Sequence, residues 1–320
     1  MLAPPRRVGL THAMRASAVV VTHQSAGHIG ACLEALRADG GGELEIIVVD
    51  NRSSDGTAEQ VRAQFPAVTL RVTHRNIGYG AAANIGIGLA TGDPILVLNA
   101  DAVVERGLIA AVGARLEADP SLGCVSPVHL DADGSSRSPA RAFPSIGAAI
   151  ADGTMLEHWL RGSAVLRSYY RDAAVPDAPP DWLDGACLAF RARALRDVGG
   201  FDAGYFMYSE ELDLHRALRA AGWTCAVEET ARVRHVGGAS AGRDVVARER
   251  NFFRSRYRFA GKMWGRPFAV FLRLFVALVN LVRLAEQLLR LLLGRGAPSP
   301  RAEAGRIARV TLWQWFGWRR

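Results

Sequence analysis

The chain is short of several residue types that mark particular classes of protein. Of its 320 residues only Lys262 is lysine, and only four are cysteine. The cysteines (Cys32, Cys124, Cys187 and Cys225) are far apart and form no CxxC pair. A disulfide framework or a zinc site is therefore not expected, and a reducing compartment fits. Residues 1–15 contain no apolar stretch of the kind found in a signal peptide.

Positive charge is concentrated at the C-terminal end of the chain. Residues 241–320 hold 17 basic and 4 acidic residues, whereas residues 1–240 hold 22 basic and 27 acidic ones. A basic segment attracts an acidic surface, which can be anionic lipid or nucleic acid. The charge pattern by itself leaves both partners open.

Short β-branched runs alternate with helical stretches through the first hundred residues. We expect strands at 18–22, 45–49, 68–72 and 94–98, and helices at 29–38, 57–65 and 80–90. Strands that alternate with helices form a mostly parallel, doubly wound α/β sheet. Sheets of this kind bind their ligands outside the carboxyl ends of the strands. Residues 131–181, rich in Asp, Gly, Ser, Ala and Pro, predict an irregular insert.

A strongly apolar segment spans residues 268–293. At about 100° per residue its polar side chains fall within an arc of roughly 140°, and the opposite face is apolar throughout. This pattern predicts an amphipathic helix that lies in a membrane interface; a helix packed on the protein's own core is the alternative. The apolar face favours lipid over nucleic acid as the partner of the basic tail. Tryptophan and arginine near the C-terminus suit the headgroup region: Trp313, Trp315, Trp318, Arg319 and Arg320.

Polar residues gather where the predicted strands end. Thr22 ends the first strand, Asp50 follows the second, and Asn99 and Asp101 follow the fourth. Since parallel strands end at one edge of a sheet, these side chains are expected on a common rim. Turn and helix-capping chemistry explains many small polar residues at such places. Asp50 and Asp101 follow buried apolar runs directly, which favours a ligand-binding role for them.

Seven segments, in order, resemble the motifs of glycosyltransferase family 2, a large family of inverting enzymes. They are VVDNRSSDGT (48–57), NIGYGAAANIG (76–86), LNADA (98–102), WLDGA (182–186), GGFD (199–202), FMYSEELDL (206–214) and HVGGAS (235–240). Each motif is weak alone, but seven in the family's order are specific. The resemblance spans about residues 16–260 and is closest to the rhamnosyltransferase-like branch that builds bacterial surface polysaccharide.

The resemblance implies a GT-A fold, a doubly wound mixed sheet with a Rossmann-like nucleotide-binding half, and a nucleoside-diphosphate sugar donor. Asp50 would accept a hydrogen bond from N3–H of uracil or thymine, because a carboxylate only accepts. The donor is then a UDP- or dTDP-sugar. The residues expected around the nucleotide are Thr22, Asp50, Asn51, Asn76, Gly78, Asn84, Asn99 and Asp101.

The resemblance also implies a divalent cation, Mg²⁺ or Mn²⁺, that neutralises charge on the leaving nucleotide. Asp101 and His235 are the expected protein ligands. Many relatives of the wider fold carry an aspartate where this chain has Asn99, which removes one carboxylate from the site. A mechanism that depends less on metal is therefore the alternative.

An acidic group opens the helix within the sixth motif. Such residues are common at helix N-termini, where they are electrostatically favourable, but the resemblance implies a general base among them. By position the base is Glu211, where the family usually has aspartate; Asp213 is the fallback, and Glu210 would contact the acceptor or hold the loop. The residues expected at the acceptor or donor-sugar pocket are Trp182, Asp184 and Gly185.

The sequence thus predicts an inverting glycosyltransferase that acts from a cytoplasmic, peripheral position on the membrane and does not bind nucleic acid. It would move a sugar, with rhamnose a candidate, from a UDP- or dTDP-sugar to a glycan or lipid-linked glycan. The predicted division is a tail (1–15), a nucleotide-sugar-binding half (16–130), an acceptor-binding and catalytic half (131–260) and a basic membrane-associating tail (261–320).

Other functions fit the sequence less well. A binding module that kept the pocket but lost the chemistry is the main alternative. Gly78 and Gly80 mimic a dinucleotide fingerprint, but they follow the third strand rather than the first, which argues against an oxidoreductase. A nucleotidyltransferase would carry a basic glycine-rich loop after its first strand, and this sequence has none.

Overall fold

The computed structural model describes residues 15–152, 154–160, 162–170, 179–235, 244–293 and 300–317. The predicted N-terminal tail lies outside these residues except for Arg15, as do Trp318, Arg319 and Arg320. The strands are β1 (Ser17–Thr22), β2 (Glu45–Asp50), β3 (Thr69–Val72), β4 (Ile95–Asn99), β5 (Ala102–Val104), β6 (Leu122–Leu130), β7 (Ser136–Arg137), β8 (Ala140–Arg141), β9 (Trp182–Leu183), β10 (Cys187–Phe190) and β11 (Thr224–His235). The helices are α1 (Ile29–Gly40), α2 (Thr57–Gln64), α3 (Tyr79–Leu89), α4 (Leu108–Ala118), α5 (Ile146–Ala151), α6 (Met155–Leu160), α7 (Ala164–Tyr170), α8 (Ala192–Val198), α9 (Glu210–Ala220), α10 (Val245–Trp264), α11 (Arg266–Leu292) and α12 (Pro300–Phe316).

One large mixed sheet forms the centre of the molecule. Its strands run in the order β3-β2-β1-β4-β10-β6-β11-β5, and β7 pairs with β6. The first four are parallel to one another, whereas β10 is antiparallel to both β4 and β6. The parallel, doubly wound half that the sequence predicts is confirmed, and the antiparallel β10 makes the whole sheet mixed.

Helices cover both faces of the sheet because its central strands are apolar on both sides. In β1, Val20 belongs to one core cluster, while Val19 and Val21 belong to the cluster on the other face. This alternation follows from the two-residue period of a strand. Gly86 of α3 lies so close to β1 that an added Cβ would lie 2.2 Å from a methyl carbon of Val19.

The four early strands and three early helices begin and end within one residue of the predicted positions for most boundaries. The prediction of an irregular insert at 131–181 is wrong, because α5, α6 and α7 form there. Ala148, Ala151 and Leu166 of these helices share a small buried cluster. Alanine carries this packing, and alanine gave no clear hydrophobic period in a segment rich in Gly, Ser and Pro.

The last three helices pack against one another. Phe253 and Tyr257 of α10, Leu272 and Val276 of α11, and Val310 of α12 form their shared core. Helix α10 runs without a break across residue 260, where the sequence suggested a boundary. Helix α11 confirms the predicted helix over 268–293. It begins two residues earlier, at Arg266, and ends one residue earlier, at Leu292.

The orientation of α11 is opposite to that of a surface helix in water. Its polar side faces the bundle: Asn280 is buried, Arg273 donates hydrogen bonds to the carbonyls of Trp313 and Gln314, and Arg283 lies 3.8 Å from Glu303. Its apolar side is exposed, over an arc of roughly 120°. The exposed side chains of this face are Val270, Phe271, Leu274, Leu278, Leu281, Val282, Leu288, Leu289 and Leu292. Among the described helices, α11 is the one whose length and composition would suffice to cross a membrane.

Candidate active site

The carboxyl ends of β1, β2 and β4 meet at one edge of the sheet, as the sequence predicted. Thr22 of β1 pairs in register with Asp50 of β2, and Val21 pairs with Asn99 of β4. A cavity of about 720 Å³ opens at this edge. We call it the donor cavity.

The donor cavity brings together most of the residues singled out from the sequence. Those that line it are Thr22, Asn51, Asn76, Asn99, Asp101, Asp184, Gly185, Glu210, Glu211 and His235. Those that do not are Asp50, Gly78, Asn84, Trp182 and Asp213. Residues from seven separate segments of sequence thus converge on one cavity.

Asp50 and Thr22 hold two unsatisfied polar atoms at the edge of the cavity, which Thr22 lines and Asp50 does not. Asp50 is fully buried, and its Oδ1 accepts a hydrogen bond of 2.8 Å from the backbone N–H of Ser53. Its Oδ2 and the Oγ1 of Thr22 have no hydrogen-bond partner among the residues that the structure describes. Buried polar atoms are rarely left unpaired, so this pair is suited to a ligand that donates hydrogen bonds.

Three asparagines of the motifs tie loops together. Asn51 donates through Nδ2 to the carbonyl of Gly78 at 3.0 Å and accepts through Oδ1 from the N–H of Ile77 at 3.0 Å. Asn84 forms two hydrogen bonds to the backbone of Phe201, at 2.8 and 2.9 Å, and Asn76 accepts from the N–H of Gly78. Both amide groups of Asn51 and of Asn84 are used in these contacts, so these two residues hold the loops in place rather than offering free groups to a ligand.

Gly78 allows two loops to approach each other. Its φ is 91°, in the left-handed region that favours glycine. An added Cβ would lie 2.4 Å from the carbonyl oxygen of Phe206. The next residue, Tyr79, donates its N–H to that same carbonyl at 2.8 Å. Gly78 therefore acts by letting the 206–209 loop close over the start of α3.

Asp101 and His235 come together as expected, although 134 positions separate them in the sequence. Oδ1 of Asp101 lies 3.3 Å from Nε2 of His235, and the side-chain nitrogen of Asn99 lies 3.3 Å from the same Nε2. Burial opposes the charge on Asp101, but the hydrogen bond and charge of His235 lower the pKa of its carboxyl below the ordinary value. The pair therefore offers an ionised oxygen and an imidazole nitrogen side by side.

Asp101 and His235 supply only part of the ligands that a divalent cation needs. Two ligand atoms 3.3 Å apart can share one ion, and Mn²⁺ accepts both carboxylate and imidazole. No group of three or more His, Cys, Asp or Glu side chains that could hold a metal occurs among the described residues. A cation here would depend on the donor diphosphate and water for its remaining ligands.

Glu210 and Glu211 begin helix α9 and point buried carboxylates at the cavity. Oε2 of each is buried without a hydrogen-bond partner in the described part of the chain. Burial, with the neighbouring Glu211, raises the pKa of Glu210 well above its ordinary value. Burial raises the pKa of Glu211 to about 7. A carboxylate that titrates near neutral pH can take a proton from an attacking hydroxyl.

Gly185 packs against Glu211, and the neighbouring Asp184 is paired with arginine. A Cβ on Gly185 would lie 3.6 Å from Cγ of Glu211, so the two residues are in close contact. The carboxylate of Asp184 lies 2.5 Å from Arg137 and 2.9 Å from Arg141. Asp184 is thus held between two guanidinium groups.

Asp213 and Trp182 do not line the donor cavity. Asp213 is buried and pairs with Lys262 of α10 and with Arg216, away from the donor cavity. Trp182 donates from its indole nitrogen to the carbonyl of Ala142 at 2.9 Å. It lines a second, smaller cavity of about 140 Å³, which we call the rear cavity.

Several residues of the donor cavity had not been assigned a role from the sequence. They are His23, Tyr79, His129, Arg137, Tyr208 and Arg248. Burial lowers the pKa of His129 to about 3, so this histidine is neutral at physiological pH. Arg137 lies in the Ser- and Gly-rich insert, where no sequence pattern marks it. Tyr79 lies in the 76–86 motif and Tyr208 in the 206–214 motif, and these motifs are the signal that could have identified them.

The comparisons with known proteins agree with the geometry. The family model described as Glycosyl transferase family 2 matches residues 17–183. The chain is 32% identical to an N-acetylglucosaminyl-diphospho-decaprenol L-rhamnosyltransferase of Mycobacterium tuberculosis, over 75% of this chain and 82% of that protein. It is 26% identical to the rhamnosyltransferase WbbL of Escherichia coli, over 64% of this chain and 76% of that protein.

Solved structures show the same architecture. The mannosyltransferase PcManGT of Pyrobaculum calidifontis, solved with GDP-Man and Mn²⁺, superposes with a TM-score of 0.53 at 18% identity. The match covers 96% of this chain and 89% of that one. Family model, relatives and GT-A architecture together identify the chain as a glycosyltransferase enzyme that belongs to glycosyltransferase family 2 and is similar to its rhamnosyltransferases.

Proposed function

We propose that the protein transfers a deoxyhexose, with rhamnose the first candidate, from a dTDP- or UDP-sugar to a lipid-linked glycan during synthesis of cell-surface polysaccharide. The observation that carries the proposal is the convergence of the Asp101–His235 pair and the Glu210–Glu211 carboxylates on one cavity at the strand ends. The named activity of the mycobacterial relative supports the choice of sugar and acceptor.

The nucleotide would lie at the ends of β1 and β2. The unpaired Oδ2 of Asp50 is an acceptor for N3–H of uracil or thymine, and Thr22 lies in register beside it. Thr22 lines the cavity, whereas Asp50 lies behind its present wall, so a small shift of the surrounding loop would accompany binding to Asp50. The glycines and asparagines of the 76–86 motif give that loop its shape.

Asp101 and His235 would hold Mg²⁺ or Mn²⁺ at the diphosphate. Such an ion offsets negative charge on the leaving nucleoside diphosphate. Arg137 and Arg248, which both line the same cavity, are the described cations that would share this task. With Asn99 in place of a carboxylate, the site carries less negative charge, and we expect its metal affinity to be modest.

The transfer itself is a single displacement. The oxygen of the acceptor hydroxyl forms a bond to the anomeric carbon while the bond from that carbon to the diphosphate oxygen breaks, which inverts the configuration. The proton of the hydroxyl passes to the carboxylate of Glu211, whose pKa of about 7 suits a base at neutral pH. Glu210, with the higher pKa, would remain protonated and keep a second negative charge out of the pocket.

The tail would bring the enzyme to its acceptor on the cytoplasmic face of the membrane. The exposed apolar face of α11 is suited to the acyl region of a bilayer, and the 17 basic residues of 241–320 are suited to anionic headgroups. An apolar face of this extent is unusual on a protein that is surrounded by water.

A transfer assay tests the proposal. The full-length protein would be incubated with dTDP-rhamnose or UDP-sugars, Mn²⁺, and an N-acetylglucosaminyl diphosphate carried on a short prenyl chain, and the product followed by mass spectrometry. Metal-stimulated transfer with inversion at the anomeric carbon is the expected result. Nucleotide binding in a thermal-shift assay without transfer to any glycan acceptor would instead indicate a binding module that has lost its chemistry.

A further inference from the structure

Tyr79, the first residue of α3, lines the donor cavity and carries a hydroxyl that the protein leaves unpaired. Its Oη is buried and has no hydrogen-bond partner among the residues that the structure describes. The rest of the residue is held in place. Its backbone N–H donates to the carbonyl of Phe206 at 2.8 Å, and its ring meets that of Phe201 edge to face, with 6.4 Å between the ring centres. Since buried polar atoms are rarely left without a partner, this fixed hydroxyl is suited to a ligand.

The first turns of α3 and α9 lie against each other beside this hydroxyl. A Cβ on Gly80 would lie 3.5 Å from Cβ of Glu210 and 3.0 Å from Cβ of Phe201. Burial, followed by the charges of Glu210 and Glu211, raises the pKa of Tyr79 well above its ordinary value. The phenol therefore keeps its proton at neutral pH and can donate a hydrogen bond.

Three buried polar atoms of this corner lack partners. They are Oη of Tyr79 and the Oε2 atoms of Glu210 and Glu211, and all three residues line the donor cavity. Because each atom is unpaired, the three do not satisfy one another. A sugar hydroxyl accepts one hydrogen bond through its oxygen and donates another through its hydrogen. One phenol donor beside two carboxyl acceptors is the complement of such a group.

The position of the phenol indicates which sugar it meets. The charge of Asp101 acts on Tyr79 together with the charges of Glu210 and Glu211. In the proposed function the diphosphate lies at Asp101 and the attacking hydroxyl at Glu211. The donor sugar joins these two places, because its anomeric carbon is bonded to the diphosphate and receives the attack. A phenol under the influence of both places is therefore expected to face the donor sugar.

We propose that Tyr79 determines specificity at the donor site by donating a hydrogen bond from its phenol to one ring hydroxyl of the transferred sugar. The carboxyl groups of Glu210 and Glu211 offer acceptors for the hydrogen of that same hydroxyl. The inference rests on the proposed function and deepens it, because it states which chemical group of the donor sugar is recognised. A sugar that lacks this hydroxyl would leave the phenol unpaired, which disfavours its binding.

Calorimetric titration without any acceptor tests the proposal. The full-length protein with Mn²⁺ would be titrated with dTDP, UDP, dTDP-rhamnose, dTDP-glucose and UDP-glucose. Tyr79→Phe should weaken the binding of the tightest sugar nucleotide by about five- to tenfold, since one hydrogen bond is lost, and leave the Kd values of dTDP and UDP unchanged. Unchanged binding of the sugar nucleotide, or an equal loss for the bare nucleotide, would overturn the proposal.

Analogues of the tightest sugar nucleotide that each lack one ring hydroxyl identify the contact. One analogue should bind wild type about fivefold more weakly than the parent, and Tyr79→Phe should bind that analogue and the parent equally, because the hydrogen bond is already absent. If every analogue lost as much affinity in Tyr79→Phe as in wild type, the phenol would make no contact with the sugar.

Tyr205→Phe is the matched control. The Oη of Tyr205 is also buried without a partner in the described part of the chain, but this residue lines neither the donor cavity nor the rear cavity. Tyr205→Phe should leave all the Kd values unchanged. Neither variant should melt at a lower temperature than wild type, because neither hydroxyl is bonded within the described protein. A lower melting temperature of Tyr79→Phe alone would give its hydroxyl a structural role and contradict the proposal.

Transfer kinetics separate this inference from the proposed function. In Tyr79→Phe the KM for the donor should rise, while the KM for the acceptor is unchanged. A rise confined to the acceptor, with donor binding intact, would place the phenol at the acceptor sugar and overturn its assignment to the donor. If the sugar nucleotides bind as expected but wild type transfers sugar to no glycan, the proposed function alone fails.

Discussion

The catalytic half and the tail distribute polar groups in opposite ways. Around the sheet, apolar side chains such as Val20 are buried, and the ionisable groups gather at one edge. In the tail, α11 turns Asn280 and Arg273 toward the bundle and leaves Leu278 and Leu292 exposed, at 58% and 84%. The exposed face of the second region would suit the apolar surrounding of the proposed membrane contact. Function in the first should therefore depend on single charged groups, and function in the second on contact area.

The largest effect is expected from one charge in the catalytic half. Glu211→Gln should lower kcat by about a thousandfold, because the variant cannot accept the proton of the attacking hydroxyl. The thermal shift given by UDP or dTDP should be unchanged. Full activity in this variant would remove Glu211 from the mechanism and leave Glu210 as the remaining acidic group of α9 in the cavity.

The same carboxyl predicts how activity and stability respond to pH. Wild-type kcat/KM should fall below about pH 7 as Glu211 is protonated. Since the folded pKa lies above the ordinary 4.5, the folded state holds its proton more tightly than the unfolded state, and stability declines as pH rises through that interval. Glu211→Gln should therefore melt at a higher temperature than wild type at pH 8 and at a similar one at pH 4. Equal melting temperatures of the two proteins at pH 8 in calorimetric scans would contradict the burial of an ionisable Glu211.

In the tail, several substitutions together should be needed for a comparable effect. Replacing Phe271, Leu274 and Leu278 by serine should reduce binding to anionic vesicles by about 100-fold or more, since each side chain loses its apolar contact. Sedimentation with liposomes measures this. Serine at the exposed Val72 and Ile85, which lie outside the tail, provides the control and should change nothing.

Substitutions at the proposed metal ligands should have an effect of intermediate size on turnover. Asp101→Asn should reduce turnover by roughly 100-fold and abolish any thermal shift that depends on Mn²⁺, because it removes the ionised ligand. Asn99→Asp is the complementary change and should tighten Mn²⁺ binding by restoring a carboxylate. If Asp101→Asn retained a normal metal response, the site would have to be elsewhere.

The smallest effect should come from the contact that joins the two regions. Lys262→Met removes one ion-pair partner of the buried Asp213 and leaves Arg216, and we expect the free energy of unfolding to fall by about 2 kcal/mol. Denaturant titration would measure it. Because neither residue lines the donor cavity, kcat should change little at a temperature where the variant is folded. A large loss of kcat would show that α9 needs α10 to hold its carboxylates in place.

The sequence predicted the nucleotide-binding half well because its signals are local. Strand β2 is apolar from Ile46 to Val49, and polar residues such as Asp50 that end these runs mark the edge of the sheet. The pairing of Asp101 with His235 came from the family resemblance, since no local pattern connects them. The helices of the insert were missed because two of the three buried residues of their cluster are alanine, which gives no clear hydrophobic period.

The features that the sequence did not predict depend on tertiary contacts. Asp213 has a motif position close to that of Glu211, but its partner Lys262 lies 49 residues away, so sequence alone could not show that it points out of the cavity. Helical periodicity established that α11 has two unlike faces. It could not decide which face meets the protein, because that depends on α12 and its carbonyl acceptors at Trp313 and Gln314.

The single lysine gives the chain a chemical handle at the junction of its two regions. Lys262 is the sole side-chain amine, and in the folded state its ammonium is engaged by Asp202 and Asp213. An amine-specific acylating reagent would therefore react slowly at this position while α10 is docked on α9, and readily once the helices separate. The rate of acylation at one residue, read by mass spectrometry, would report how often the tail leaves the catalytic half, in solution or on a vesicle.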